Sequence, residues 1–142
     1  MRLRIGAAQT NPTVGDLDAN AEAVIATAEA ARAHGCDVVV FPELAICGYP
    51  PEDLLLKPAF VAQTEEATVR VAAAVRDIVC VVGTVHHDRD LFNAAAICHG
   101  GRVAAYYRKC HLPNYGVFDE RRYFAAGTDA GPLVRWRGVR FG

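Results

Sequence analysis

Between Leu3 and Phe41, two strand patterns flank one helix pattern, and the short connections between them imply a right-handed parallel crossover. Leu3, Ile5 and Ala7 alternate with Arg4 and Gly6, which predicts a first strand ending near Gln9. Asn11-Pro12 and Val14-Gly15 mark a turn. From Asp16 to His34 the apolar positions Leu17, Ala21, Val24, Ala28 and Ala31 keep helical spacing. Asp16 or Asp18 can cap that helix, and Gly35 is placed to end it. Asp37-Val38-Val39-Val40-Phe41 then reads as a strand buried on both faces.

Beyond Pro50-Pro51, which opens a loop and a short helical turn, a second helix is predicted from Pro58 to Arg76. Its buried stripe is Phe60, Val61, Thr64, Thr68, Val71 and Val75. Ile78 to Val85 reads as another core strand, and Leu91–Cys98 and Arg102–Tyr107 as antiparallel strands bounded by turn residues. From Lys109 to Gly131 periodicity fails, and a loop of that length in a compact domain is usually functional. Pro132–Trp136 and Val139–Phe141 suggest a closing hairpin around Arg137-Gly138. The fold class is α/β: a mixed sheet with two long helices, too few to cover both faces of so apolar a sheet.

Composition excludes several classes of function. Fifteen Lys+Arg against 16 Asp+Glu give a formal net charge of −1, which argues against a surface built for nucleic acid or anionic lipid. No apolar run approaches a membrane span, and the apolar stretch after Met1 breaks at Gln9-Thr10, too soon for a signal peptide. Five cysteines without paired spacing fit a reduced, cytoplasmic setting better than a disulfide framework. The histidines are adjacent to each other or to cysteines rather than spaced as ligands, so no metal site is expected. No glycine-rich phosphate loop occurs.

Two segments could carry chemistry. In Phe41-Pro42-Glu43-Leu44, Glu43 sits at the carboxyl end of a buried parallel strand, where open α/β sheets place their ligands. A carboxyl held there against an apolar wall would have a raised pKa suited to a general base, although a turn glutamate at the surface fits the position equally. In Tyr106-Tyr107-Arg108-Lys109-Cys110-His111-Leu112-Pro113, strand alternation puts Lys109 and Tyr107 on one side and Arg108 and Cys110 on the other. Lys109 could stabilise an oxyanion, or simply be a solvated cation protecting a sheet edge. Among the thiols, Cys80 and Cys98 read as core residues, Cys36 is far in sequence from any base, and Cys47 is closest to Glu43.

Together, in this order, the two segments resemble the nitrilase or carbon–nitrogen hydrolase superfamily. Phe41-Pro42-Glu43-Leu44 with Gly48-Tyr49-Pro50-Pro51-Glu52-Asp53-Leu54-Leu55 is similar to the glutaminase domain of glutamine-dependent NAD synthetases. The more specific match is Arg108-Lys109-Cys110-His111-Leu112-Pro113-Asn114-Tyr115-Gly116-Val117-Phe118-Asp119-Glu120-Arg121-Arg122-Tyr123-Phe124. The resemblance implies a partial nitrilase-type αββα sandwich, with residues 1–142 as the amino-terminal part of one glutaminase domain and its carboxy-terminal part lacking. It also implies a Glu–Lys–Cys triad: Glu43 as general base, Lys109 as oxyanion-stabilising lysine, Glu120 as a supporting glutamate, and Tyr115 and Tyr49 as aromatic residues beside a glutamine pocket.

The family's cysteine follows a Gly-Val-Arg-Phe-Gly-like segment, and here Gly138-Val139-Arg140-Phe141-Gly142 closes the sequence. The expectation is therefore that the nucleophile is not in this chain and that the chain alone is inactive. ATP, magnesium and deamido-NAD would belong to a synthetase domain outside it, the whole protein being a homo-oligomer. Two rival readings are a stand-alone amidase acting on a nitrile, carbamoyl or short amide substrate, and a non-catalytic truncated fragment.

Overall fold

A computed structural model describes residues 2–142. Five strands form a mixed sheet in the order β1-β2-β3-β4-β5. Strands β1 (Ile5–Ala7), β2 (Val38–Val40) and β3 (Val79–His87) run parallel, with Ile5 opposite Val38 and Val38 opposite Val79. Strands β4 (Leu91–His99) and β5 (Arg102–Arg108) follow antiparallel. Two helices, α1 (Leu17–Ala33) and α2 (Pro58–Ala74), connect the parallel strands. A separate hairpin pairs β6 (Val134–Trp136) with β7 (Val139–Phe141). The α/β class, mixed sheet and two helices match the expectation from sequence.

Both helices lie on one face. Ala21, Val24 and Ala28 of α1 and Ala67, Val71 and Ala72 of α2 pack against Val39, Cys80, Val82, Ala96 and Cys98 of the sheet. Asp16 caps α1 by accepting the Ala19 N–H, satisfying one of the donors left free in the first turn. Helix α2 opens with Pro58 and ends two residues before the predicted Arg76, because Val75 turns to an extended backbone and drops into the core. The threonines of its buried stripe are satisfied internally. Thr64 donates to the Phe60 carbonyl, Thr68 to that of Thr64, and Thr68 meets the Thr84 hydroxyl at 2.7 Å.

The opposite face is thinner. Val38, Val79 and Ile97 are covered there by Val134, Trp136 and Phe141 of the hairpin, while Ile5 and Val40 stay exposed. Asp37 holds the hairpin to the sheet. Its Oδ2 accepts the Arg4 N–H at 3.0 Å and its Oδ1 accepts Arg137 Nη1 at 2.9 Å. The Arg4 N–H, with the Arg137 and Arg4 charges, outweighs burial and holds this carboxyl below its ordinary value. A depressed folded pKa adds stability that is complete above the unfolded value, about 3.9, and is lost as pH falls through the folded value. Denaturant titrations of the chain and of Asp37→Asn should therefore differ at pH 6, draw together as pH falls below about 3.9 and converge only below the folded value. A gap that persists there would contradict the ion-pair account.

Candidate active site

Strand β2 ends where Pro42 removes a ladder donor, and the chain turns out of the sheet at Glu43. Phe41 still donates to the Val81 carbonyl and Ile46 donates to that of Gly83, so the turn lies directly on β3. Gly83 makes that approach possible. A Cβ there would stand 2.2 Å from the Pro42 carbonyl oxygen and 2.5 Å from the Leu44 nitrogen. On the other side Asn20, buried on α1, donates to the Thr13 and Ile46 carbonyls and accepts the Thr13 N–H. Leu44, Ile46 and Cys47 are buried beneath the turn. Glu43 therefore projects from a backbone fixed by three elements.

Lys109 extends β5 by one further ladder bond, its N–H donating to the Asn93 carbonyl at 2.9 Å. Its own carbonyl accepts the Gly127 N–H at 2.8 Å. Gly127 has no room for a side chain, since a Cβ would stand 2.3 Å from the Arg108 carbonyl oxygen. The long loop between Lys109 and Gly131 thus folds back onto the strand it leaves. Within it a helical turn, Glu120–Arg122, presents Glu120 with only 7% of its surface exposed.

These residues, far apart in the chain, converge. Lys109 Nζ donates to Glu43 Oε1 at 2.6 Å and to Glu120 Oε1 and Oε2 at 2.9 and 3.0 Å. An ammonium has three protons, and these three contacts can use all of them. Burial draws the Lys109 pKa down, but the bonds and charges of Glu43 and Glu120 outweigh it and hold the ammonium above its ordinary value. The apolar wall expected around Glu43 is absent: its side chain is 42% exposed and its partners are polar. Sequence reasoning also missed Asn93, which is buried in β4 and donates from Nδ2 to Glu43 Oε1 at 2.6 Å. A lone amide in an otherwise apolar strand was the only signal for it.

Beside the cluster is a cleft of about 520 Å³, lined by Tyr49, Phe118 and Glu120 among others. Burial, and then the Glu120 and Glu43 charges, raise the Tyr49 hydroxyl above its ordinary pKa, against the opposing charge of Lys109. Tyr115 is not brought into this cleft. It is 70% exposed, packs edge-on against Phe118 and lines a separate depression with Cys110 and Arg121. Cys110 does not lie on the side away from Tyr107 as strand alternation predicted, since the Tyr107 hydroxyl points to its Sγ at 3.7 Å.

Among the described residues, no cysteine is hydrogen-bonded to Glu43, Lys109 or Glu120. Cys47, Cys80 and Cys98 are buried, and burial pushes each thiol up to about 12. Cys36 packs against the helix-side core, and Cys110 faces Tyr107 and the Asp129 carbonyl. Among the described residues no His, Cys, Asp and Glu group is arranged to hold a metal ion, and no helix is long and apolar enough to cross a membrane.

Residues 4–142 match the family described as carbon-nitrogen hydrolase. The chain belongs to the carbon-nitrogen hydrolase family. It is 49% identical over 143 residues to the glutamine-dependent NAD(+) synthetase of Xanthomonas campestris pv. campestris (strain 8004), covering 99% of this chain and 26% of that protein. The carbon-nitrogen hydrolase fold superposes on the glutamine-dependent NAD+ synthetase of Acinetobacter baumannii with a TM-score of 0.92 at 37% identity, covering 99% of this chain and 27% of the other. It superposes on an amidase from Nesterenkonia sp. with a TM-score of 0.80 at 26% identity, covering 97% of this chain and 53% of the other. The chain thus spans about a quarter of the length of the curated relatives it matches.

Proposed function

We propose that this chain is the amino-terminal part of the glutaminase domain of a glutamine-dependent NAD synthetase, where it helps release ammonia for the amidation of deamido-NAD. The observation that carries this reading is the hydrogen-bonded set of Glu43, Lys109 and Glu120 beside a cleft. The synthetase relatives favour glutamine over the other amides a carbon-nitrogen hydrolase could take.

In this reading the nucleophilic thiol comes from residues outside the 142, because no cysteine within them meets the cluster. Glu43 accepts the thiol proton and the sulfur attacks the side-chain amide carbon of glutamine. As the C–N bond breaks, the nitrogen takes that proton back from Glu43 and leaves as ammonia. Water then gives a proton to Glu43 while its oxygen attacks the glutamyl thioester; the C–S bond breaks and the thiol regains the proton. The sum is glutamine plus water to glutamate plus ammonia.

Lys109 is placed to offset the negative charge on the amide oxygen in both tetrahedral stages. Its charge is shared between two carboxylates at rest, and protonation of Glu43 releases part of it toward the oxyanion. Glu120, engaged through both oxygens, holds the lysine, and Tyr49, which lines the cleft, serves as an aromatic contact to substrate. No step here runs through ATP or magnesium; in this proposal their sites and the deamido-NAD site lie in the remainder of the whole protein, a cytoplasmic homo-oligomer.

Lys109→Met in the whole protein tests this. Removal of one oxyanion donor costs about 10²–10³-fold in kcat. Glutamine hydrolysis should fall by that factor, measured as ammonia release. A whole protein that hydrolyses short amides or nitriles but not glutamine would instead support the stand-alone amidase reading.

A further inference from the structure

Glu43 has two carboxylate oxygens, and the structure treats them differently. Oε1 accepts from both Lys109 Nζ and Asn93 Nδ2, each at 2.6 Å. Among the described residues, none donates a hydrogen bond to Oε2. The Asn93 amide can present only its NH2 group here, since a carboxylate oxygen accepts and never donates. Asn93 is 3% exposed, sits opposite Val85 in the β3–β4 ladder, and also supplies the carbonyl that receives the Lys109 N–H. One buried residue therefore touches both members of the cluster, the glutamate through its side chain and the lysine through its backbone.

We propose that Asn93 is a positioning residue that fixes the rotation of the Glu43 carboxylate, so that Oε1 is anchored and Oε2 is the atom that accepts and returns the proton. The inference rests on the glutaminase reading for its role but not for its geometry. Without the amide, the lysine alone holds Oε1, and the carboxylate can turn about its terminal torsion, which is soft in glutamate. Both oxygens then compete for Lys109. A hydrogen bond donated to the charged form also favours ionisation, so its removal raises the pKa of the acceptor. The other ionisable groups facing Glu43 are Lys109 from the end of β5, Glu120 from the loop after it and Tyr49 from the loop after β2. None of these changes when Asn93 is replaced.

The test uses the whole protein with Asn93→Leu, which keeps the number and branching of heavy atoms and removes the donor, and Asn93→Asp, which puts a second carboxylate against Oε1. The first readout is independent of activity: infrared titration of the Glu43 carboxylate in protein carrying isotope-labelled glutamate, with Glu43→Gln supplying the subtraction. The midpoint should rise by about one pH unit in Asn93→Leu and further in Asn93→Asp. The second readout is glutamine hydrolysis, where Asn93→Leu should lower kcat by about 10–100-fold with KM within threefold, the cost of a misdirected base. The acid limb of the pH–rate profile should move with the infrared midpoint.

A folded Asn93→Leu or Asn93→Asp protein whose Glu43 midpoint matches the wild type overturns the proposal. So does a loss of thermal stability in both variants with an unmoved midpoint, the signature of a merely structural amide. A wild-type protein that fails to hydrolyse glutamine overturns the glutaminase reading instead, and the infrared arm still decides the role of Asn93.

Discussion

Glu43→Gln in the whole protein should lower glutamine hydrolysis by about 10²–10⁴-fold, the usual worth of a positioned general base. The change is nearly isosteric, so its effect isolates proton transfer from packing. Glutamine can still accept from Lys109 through its amide oxygen, which leaves the lysine close to Glu120. The whole protein should remain folded, with binding of substrate little altered, because only the group that moves the proton has been lost. Ammonia release under saturating glutamine measures this directly. Activity within threefold of the wild type would remove Glu43 from the chemistry.

Gly83→Ala should damage the same site without touching any charged residue. The new Cβ would meet the backbone of Pro42 and Leu44 at 2.2 and 2.5 Å, and backbone cannot swing aside as a long side chain can. Relief requires the turn carrying Glu43 to lift from β3, which breaks the Ile46 N–H to Gly83 carbonyl contact of 3.2 Å. Overpacking of this kind costs about 1–3 kcal/mol. A displacement near 1 Å also costs about 10²-fold in rate. Urea unfolding and glutamine hydrolysis of the whole protein measure the two effects, and both should fall. A variant of unchanged stability and rate would show that the turn is not seated as described.

The elements were legible because their signals are local. Leu17, Ala21, Val24 and Ala28 repeat at helical spacing over one continuous segment, and Val38-Val39-Val40 reads as a strand, although Val40 is left exposed rather than buried. Glu43 and Lys109 were legible as ends of strands, and the motif from Arg108 to Phe124 tied them to one family. What the sequence could not display is contact at long range. Glu43 and Asn93 lie 50 positions apart, and nothing along the chain says that a buried amide in β4 points at the turn after β2. Gly83 and Gly127 carried a weaker trace, since a glycine in or beside a strand marks a place where another backbone comes close. Which backbone it is depends on how the loops fold over the sheet. The same limit applies to Tyr115, which packs edge-on against Phe118 and lines a depression separate from the cleft.

The direct test separates the release of ammonia from its use. The whole protein carrying Glu43→Gln is supplied with deamido-NAD and ATP, and NAD formation is followed with either glutamine or ammonium as the nitrogen source. NAD formation from ammonium should match the wild type, while formation from glutamine should fall by about 10²–10⁴-fold. Equal loss from both sources, or undiminished formation from glutamine, would contradict the assignment of Glu43 and Lys109 to a glutamine-hydrolysing site.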